Sequence, residues 1–253
     1  MVHSSRRKLA VTSGVLAAIA VAGMFLAGCS SRQQVDLSVN GSGTAHIRIS
    51  LSPILVSYLQ DLAATVAGVR VPADQPVFDL AALRTAFSRY PALVLESAST
   101  PRPDTLDLSV QFRDVAKVFS AAIGTGPKFA TFSNNGDTKT LSITVDREAI
   151  AAVLGLTPLS GSVAADVLLP PKGDSMSPDE YVSYLSWALE DYAKGQDIER
   201  VIRDARIDMV FRVAGTVISQ KGGRQDGNTV TFSLPVTELV TLQKAANYSI
   251  TFR

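Results

Sequence analysis

The chain has few of the side chains that build disulfides, metal sites and hydrolytic active sites. Its 253 residues include one cysteine and two histidines, and only His46 follows residue 28. One cysteine cannot form an intrachain disulfide, so the folded part must rely on a hydrophobic core. One histidine is too few for a zinc site of nitrogen and sulfur ligands, and no Gly-x-Ser-x-Gly segment presents a serine nucleophile. We therefore expect no metal, no cofactor and no enzymatic activity.

The chain also lacks an excess of charge of one sign. It has 24 Lys and Arg against 23 Asp and Glu, and three of the basic residues lie within residues 1–28, which leaves 21 basic against 23 acidic residues in the remainder. The basic residues are scattered along the chain, whereas nucleic-acid binding requires a basic patch. No nucleic-acid partner is expected.

One uncharged apolar segment lies near the N-terminus. Arg6, Arg7 and Lys8 precede the run Leu9–Phe25, which is rich in Ala, Val and Gly. This order of a positive region and a short apolar region is typical of a signal peptide. A retained transmembrane helix is the alternative, but the run is shorter than the roughly 20 residues that a span requires. It ends in the residues Leu26-Ala27-Gly28-Cys29.

These four residues resemble the lipobox of bacterial lipoprotein precursors. The resemblance implies that residues 1–28 are a cleaved signal peptide and that Cys29 becomes the N-terminus, with a diacylglyceryl group on its thiol and a fatty acid such as palmitate. It also implies a protein anchored by lipid to the cell envelope. Because Ser30 follows the anchor, we expect the outer membrane in a diderm, with the protein facing the periplasm or the surface. Residues 29–34 are then the lipidated N-terminus and a short tether, and residues 35–253 form one ectodomain.

Beyond residue 34, apolar and polar residues alternate in pairs of strands that turn back on themselves. In the first pair, Asn40-Gly41-Ser42-Gly43 forms the turn, and Ser52-Pro53 then begins a helix with a capping serine and a proline at its first position. The same order returns around residues 93–118, 129–153 and 207–242. We therefore predict an α+β fold, in which an antiparallel sheet is built from about four strand-strand-helix units with helices on one face.

The alternation also predicts which side chains face the core. In each unit an apolar residue of the second strand is followed by a serine or threonine that faces solvent. The predicted core residues are Ile49, Leu108, Ile143 and Phe232, and their polar neighbours are Ser50, Ser109, Thr144 and Ser233. A sheet with one polar face does not line an apolar cavity, which disfavours a lipocalin-like lipid carrier.

Residues 156–206 form a helical insertion. Ser177-Pro178-Asp179-Glu180 has the pattern of a capping box, and the helix it begins is expected to continue to about Lys194. Tyr181 and Leu185 share its apolar face, whereas Trp187 points away from that face. We expect a neighbouring loop such as 168–172 to cover Trp187. Contact with a partner or a membrane surface is the alternative, with Tyr184 and Trp187 as the candidate residues.

The first hairpin and helix, Val35 through Leu59, resemble the start of the mycobacterial LppM-type lipoproteins. That resemblance implies an α/β ectodomain attached to the envelope and in contact with lipid-like ligands, and it assigns no functional residue. Two hypotheses follow. The protein is a non-enzymatic, lipid-anchored binding or structural module that contacts an envelope or host protein through its polar sheet face or its insertion. Alternatively, it binds a lipid or glycolipid in a cleft between the helices and the 156–206 insertion.

Overall fold

The computed structural model describes residues 29–67, 72, 74–88, 93–115, 130–148, 150, 167–170 and 175–253. The predicted signal peptide, residues 1–28, lies outside the described residues, as do residues 151–166 of the interval that leads into the insertion helix. Within the described residues the fold is α+β, with two β-sheets and several helices.

Most of the structure is β-strand. The strands are β1 Cys29–Leu37, β2 Gly43–Leu51, β3 Leu93–Arg102, β4 Thr105–Phe112, β5 Ala130–Asn135, β6 Thr138–Val145, β7 Arg206–Val213, β8 Val217–Lys221, β9 Arg224–Asp226, β10 Thr229–Pro235 and β11 Ala246–Phe252. The large sheet has seven strands in the order β3-β4-β2-β1-β7-β10-β9, and the small sheet has four in the order β5-β6-β11-β8.

Most of the described helices begin after a side chain that caps them. The helices are α1 Pro53–Ala67, α2 Leu80–Phe87, α3 Pro178–Ala188, α4 Ile198–Asp204 and α5 Val236–Val240. Helix α5, which follows Pro235, has no such cap among the described residues. Ser52 Oγ accepts the Leu55 amide at 3.2 Å and so caps α1, as the sequence predicted. The predicted capping box of α3 is also present, because Ser177 and Glu180 each bond the other's backbone N–H.

The insertion helix is shorter than the sequence suggested. It ends at Ala188, and a 3-10 turn spans Glu190–Tyr192. Lys194 then has a φ of 48° and Gly195 a φ of 83°, a left-handed backbone that no helix can continue through.

The inner face of the large sheet is covered in two different ways. Near β2 and β4, the apolar side chains Ile49, Leu106 and Leu108 pack with residues of α1, α2 and α3 in one core cluster. Near β7 and β10, the side chains Phe211 and Phe232 pack instead with the inner face of the small sheet in a second cluster. All four predicted core residues, Ile49, Leu108, Ile143 and Phe232, are buried.

The topology differs from the prediction of a single antiparallel sheet. The strand pairs β1–β2, β3–β4 and β5–β6 are antiparallel hairpins, but the third pair belongs to the small sheet. The strands β7 and β10 are antiparallel neighbours separated in sequence by β8 and β9, and β1 pairs with β7 in parallel. The apolar residues of β7 and β10 share one core cluster with those of β6 and β11, so the small sheet covers this part of the large sheet.

The segment expected to be a tether is part of the fold. Residues 29–34 belong to β1, where Cys29 is in register with Leu51 and Ser31 with both Ile49 and Ile207. The first part of this strand was not predicted because its inward positions begin with the polar residues Ser31 and Gln33. The hydrophobic alternation therefore starts only at Val35.

Candidate functional site

The outer face of the large sheet carries a row of charged side chains. The strand register places Arg32 of β1 opposite Arg48 of β2, and Arg48 opposite Asp107 of β4. The Arg48 guanidinium donates two hydrogen bonds to the Asp107 carboxylate, from Nε and Nη2, each at 2.7 Å. This bidentate pair lowers the pKa of Asp107 and raises that of Arg48, because each charge is stabilised by the other.

This row borders a shallow depression of about 320 Å³. The residues around it come from strands β1 to β4, and most are polar. They are Arg32, Gln34, His46, Ile47, Arg48, Ser97, Asp107, Leu108 and Ser109. Because four hydrogen-bonded strands hold these side chains, the depression has a rigid floor, which is a feature of binding sites that need little reorganisation.

Arg32 supplies a cation that the surrounding side chains do not neutralise by contact. In register it lies between Asp208 of β7 and Arg48 of β2. Arg48 is held by Asp107, and Asp208 accepts a hydrogen bond from Ser233 Oγ at 2.6 Å. Among the residues that the structure describes, Arg32 forms no ion pair or side-chain hydrogen bond, so its five N–H donors face the depression and solvent.

The second row of the depression consists of Gln34, His46 and Ser109. His46 lies opposite Gln34 on one side and Ser109 on the other, and Ser109 Oγ donates to Glu96 at 2.8 Å. Imidazole, amide and hydroxyl groups both donate and accept hydrogen bonds. The site is therefore suited to a polar or anionic group. In the described parts of the chain, no three His, Cys, Asp or Glu residues lie close enough to hold a metal ion.

A smaller depression lies on the same face at the far end of β1. It measures about 280 Å³ and has Asp36, Arg212 and Asn228 in its wall. Arg212 approaches Asp36 at 3.5 Å, and both side chains are well exposed to solvent. Its charges are thus already paired with each other, unlike Arg32 in the larger depression.

The inner face of β1 contains two polar side chains without partners. Ser31 is 2% exposed and Gln33 8% exposed, and within the described part of the chain neither Ser31 Oγ nor Gln33 Nε2 has a hydrogen-bond partner. An unsatisfied buried donor costs about 1–3 kcal/mol. These two residues, together with Arg32 and Gln34 on the outer face, were missed at the sequence level because residues 29–34 were assigned to a tether.

The two candidate contact residues on α3 have different surroundings. Trp187 is 74% exposed, which contradicts the expectation that a neighbouring loop covers it. Tyr184 is partly buried and packs against the core beneath the helices. On the apolar face of the same helix, Tyr181 is fully buried and its hydroxyl donates to the Leu168 carbonyl at 2.5 Å. The segment near Leu168 therefore contacts Tyr181 rather than covering Trp187.

A second tyrosine, Tyr192, connects the 3-10 turn of the insertion to α1. The Tyr192 hydroxyl donates to Asp61 at 2.7 Å, and its ring meets the ring of Tyr58 edge-on with centroids 5.5 Å apart. The hydrogen bond to Asp61 is the main reason that the pKa of Tyr192 rises to about 12. In the described residues α3 thus packs directly on the helical layer, through Tyr181, Val182 and Leu185.

Comparison with known proteins gives a weak structural likeness. No family model and no curated protein matches the chain. The NMR structure of the folded domain of LppM, a Mycobacterium tuberculosis lipoprotein, aligns with 90% of this chain and 91% of its own, with 11% sequence identity and a TM-score of 0.42. At this identity and TM-score, the likeness assigns neither a function nor a site. None of the helices in the described part of the chain has the length and apolarity needed to cross a membrane.

Proposed function

We propose that this chain is a non-enzymatic lipoprotein of the cell envelope, anchored through Cys29, and that its folded part binds a partner through the depression on the outer face of the large sheet. The anchor is supported by the lipobox-like residues Leu26-Ala27-Gly28-Cys29 and by the apolar run before them. The binding surface is supported by Arg32, which forms no ion pair in the described residues and lies beside the Arg48–Asp107 pair. No catalytic step is part of this proposal.

The depression favours a partner with exposed carboxylate, phosphate or hydroxyl groups. Arg32 offers a planar set of N–H donors, and such a set binds a carboxylate or a phosphate in a bidentate fashion. The depression is shallow and open, so an occupant can extend beyond it over the sheet. A protein or an envelope polymer that presents acidic groups has this chemistry.

The anchor is tested by metabolic labelling with a fatty acid. The natural chain should incorporate the label, and Cys29→Ser should incorporate none and should keep its signal peptide. Label in the Cys29→Ser protein would overturn the anchor, since that variant has no thiol.

The binding surface is tested by site-specific photo-cross-linking in the native envelope. A photoreactive residue at position 46 should form a defined adduct, and the same residue at position 131 should not. Thr131 is a matched control because it is exposed on the outer face of the small sheet. Arg32→Ala should reduce the adduct at position 46. Equal adducts at both positions, or no effect of Arg32→Ala on the adduct at position 46, would contradict the proposal that the depression is the binding surface.

A second candidate function is the binding of a lipid or glycolipid beneath the insertion. One observation favours it: Tyr58 and Gln60 on α1 and Ser186 on α3 have buried polar atoms that lack a hydrogen-bond partner among the residues that the structure describes. A bound polar headgroup would satisfy such atoms. Native mass spectrometry of residues 30–253 separates the two candidates, because a co-purified lipid supports the second and its repeated absence supports the first.

A further inference from the structure

Strand β1 begins at Cys29, the proposed site of lipid attachment. In an extended strand each residue advances by about 3.3 Å. Cys29 is in register with Leu51, and two residues later Ser31 is paired on both sides, with Ile49 of β2 and Ile207 of β7. A lipid on Cys29 would therefore be joined to the sheet directly, with no flexible residues between the anchor and the folded part.

The strand directions define which end of the large sheet lies beside the anchor. We name this the anchor end, and it is formed by Leu51, Thr105, Arg206 and Pro235. The β1–β2 turn, which contains Val39, lies at the opposite end, which we name the turn end. Since β1 advances through eight residues between Cys29 and Leu37, the two ends are separated by about 26 Å.

We infer that the anchor end rests against the phospholipid headgroups and that the large sheet stands on end, with the turn end pointing away from the membrane. This inference rests on the proposed function, because it requires the lipid on Cys29. Its own basis is the strand register, which places the lipid-bearing residue at one end of the large sheet with no flexible residues between it and the paired strands.

The side chains at the anchor end are compatible with a headgroup surface. Arg206 is exposed, and its Nε donates to the Asp204 carbonyl at 3.3 Å. Arg102, also exposed, is bonded to Asp104 and Thr105. Guanidinium groups at such a surface can donate to lipid phosphates. Arg32 is three residues from Cys29, so the depression would open sideways about 10 Å above the same surface.

The inference is tested with the lipidated protein in phosphatidylcholine vesicles that contain a nitroxide-labelled headgroup. The chain has one cysteine, so once Cys29 is lipidated an introduced cysteine is the single site for a thiol-reactive fluorophore. Arg206→Cys and Arg102→Cys place the fluorophore at the anchor end. Val39→Cys and Asp226→Cys are the matched controls at the turn end. All four substituted residues are exposed to solvent.

We expect severalfold stronger quenching at the two anchor-end positions than at the two turn-end positions. A flexible linker of about eight glycines and serines between Cys29 and Ser30 has an r.m.s. length of about 16 Å and should abolish most of that difference. Equal quenching at both ends in vesicle-bound protein would overturn the orientation and leave the anchor intact. Protein that does not float with the vesicles, and whose Cys29 reacts with the fluorophore, would overturn the anchor and the orientation together.

Discussion

The two sheets have outer faces that are both polar, but the polar groups differ in kind. On the small sheet, uncharged side chains bond each other across strands: Thr140 lies 3.2 Å from Thr251, and Thr144 donates to Asn247 at 3.0 Å. On the large sheet the cross-strand groups are charged, and Arg32 is left without a partner in the described residues. Neutral pairs that satisfy each other offer little to a ligand, whereas an unpaired guanidinium offers donors. Polarity alone therefore does not identify a binding face.

The largest expected effect comes from the inner face of the large sheet. Phe232 is 0% exposed and its ring lies 5.8 Å from Phe211 and 5.1 Å from Tyr248, so it joins the two sheets. Phe232→Ala should lower the free energy of unfolding by about 3–5 kcal/mol, measured by denaturant melts. Ser233→Ala, one residue further on, is the outer-face control; it removes the exposed hydrogen bond to Asp208 and should lower the free energy of unfolding by no more than about 1.5 kcal/mol. A small loss from Phe232→Ala would mean that the sheets are not packed through this ring.

Substitutions in the small sheet should show the same contrast between an inward and an outward side chain. The loss of unfolding free energy at the inward residue should be somewhat smaller. Ile143 is 1% exposed, and Thr144 points to the opposite face. Ile143→Ala should cost about 2–5 kcal/mol of unfolding free energy, since it leaves a cavity. Thr144→Ala removes the exposed hydrogen bond to Asn247 and should lower the free energy of unfolding by about 1 kcal/mol or less. Comparable losses from both would show that the small sheet is buried on two sides, and would then favour the lipid-binding candidate.

The sequence predicted the local features of this fold well. The hairpins, the caps at Ser52 and Ser177 and the burial of Ile143 and Phe232 depend on neighbouring residues, through turn chemistry and alternation. The division into two sheets depends on contacts between distant segments. The parallel pairing of Ser31 with Ile207 is such a contact, and no local pattern encodes it.

Only part of the candidate site could be predicted from the sequence. Ser109 was assigned to the polar face because its strand alternates regularly, and it borders the depression. Arg32 was not assigned because Ser31 and Gln33 occupy inward positions that are usually apolar. Strand β11 was missed as well, although Tyr248, Ile250 and Phe252 alternate in it. This strand is what places β5 and β6 in a separate sheet.

The charged row of the large sheet predicts a measurable change in a single pKa. Arg48→Ala removes the hydrogen bonds and the positive charge that hold the pKa of Asp107 below its ordinary value of 3.8, so that pKa should rise. In the natural chain the contribution of Asp107 to stability is present above that ordinary value and is lost as the pH falls through the lowered pKa. An NMR titration of the Asp107 carboxyl gives the result directly. An unchanged pKa in Arg48→Ala would mean that the pair does not persist in solution.

The smallest expected effect is at Trp187. Its side chain is 74% exposed, while Leu185, on the same helix, is fully buried. Trp187→Ala should therefore leave the free energy of unfolding within about 0.5 kcal/mol of the natural value, whereas Leu185→Ala should lower it by about 2–5 kcal/mol.

Trp187 is the chain's one tryptophan, so its fluorescence reports on this position alone. The emission of the folded protein should resemble that of solvated indole and change little on denaturation. A blue-shifted emission that moves to longer wavelength on unfolding would show that Trp187 is covered, and a loss of stability as large as that of Leu185→Ala would show that it packs in a core. Either result would remove Trp187 from the surfaces that are free to contact a partner or a membrane.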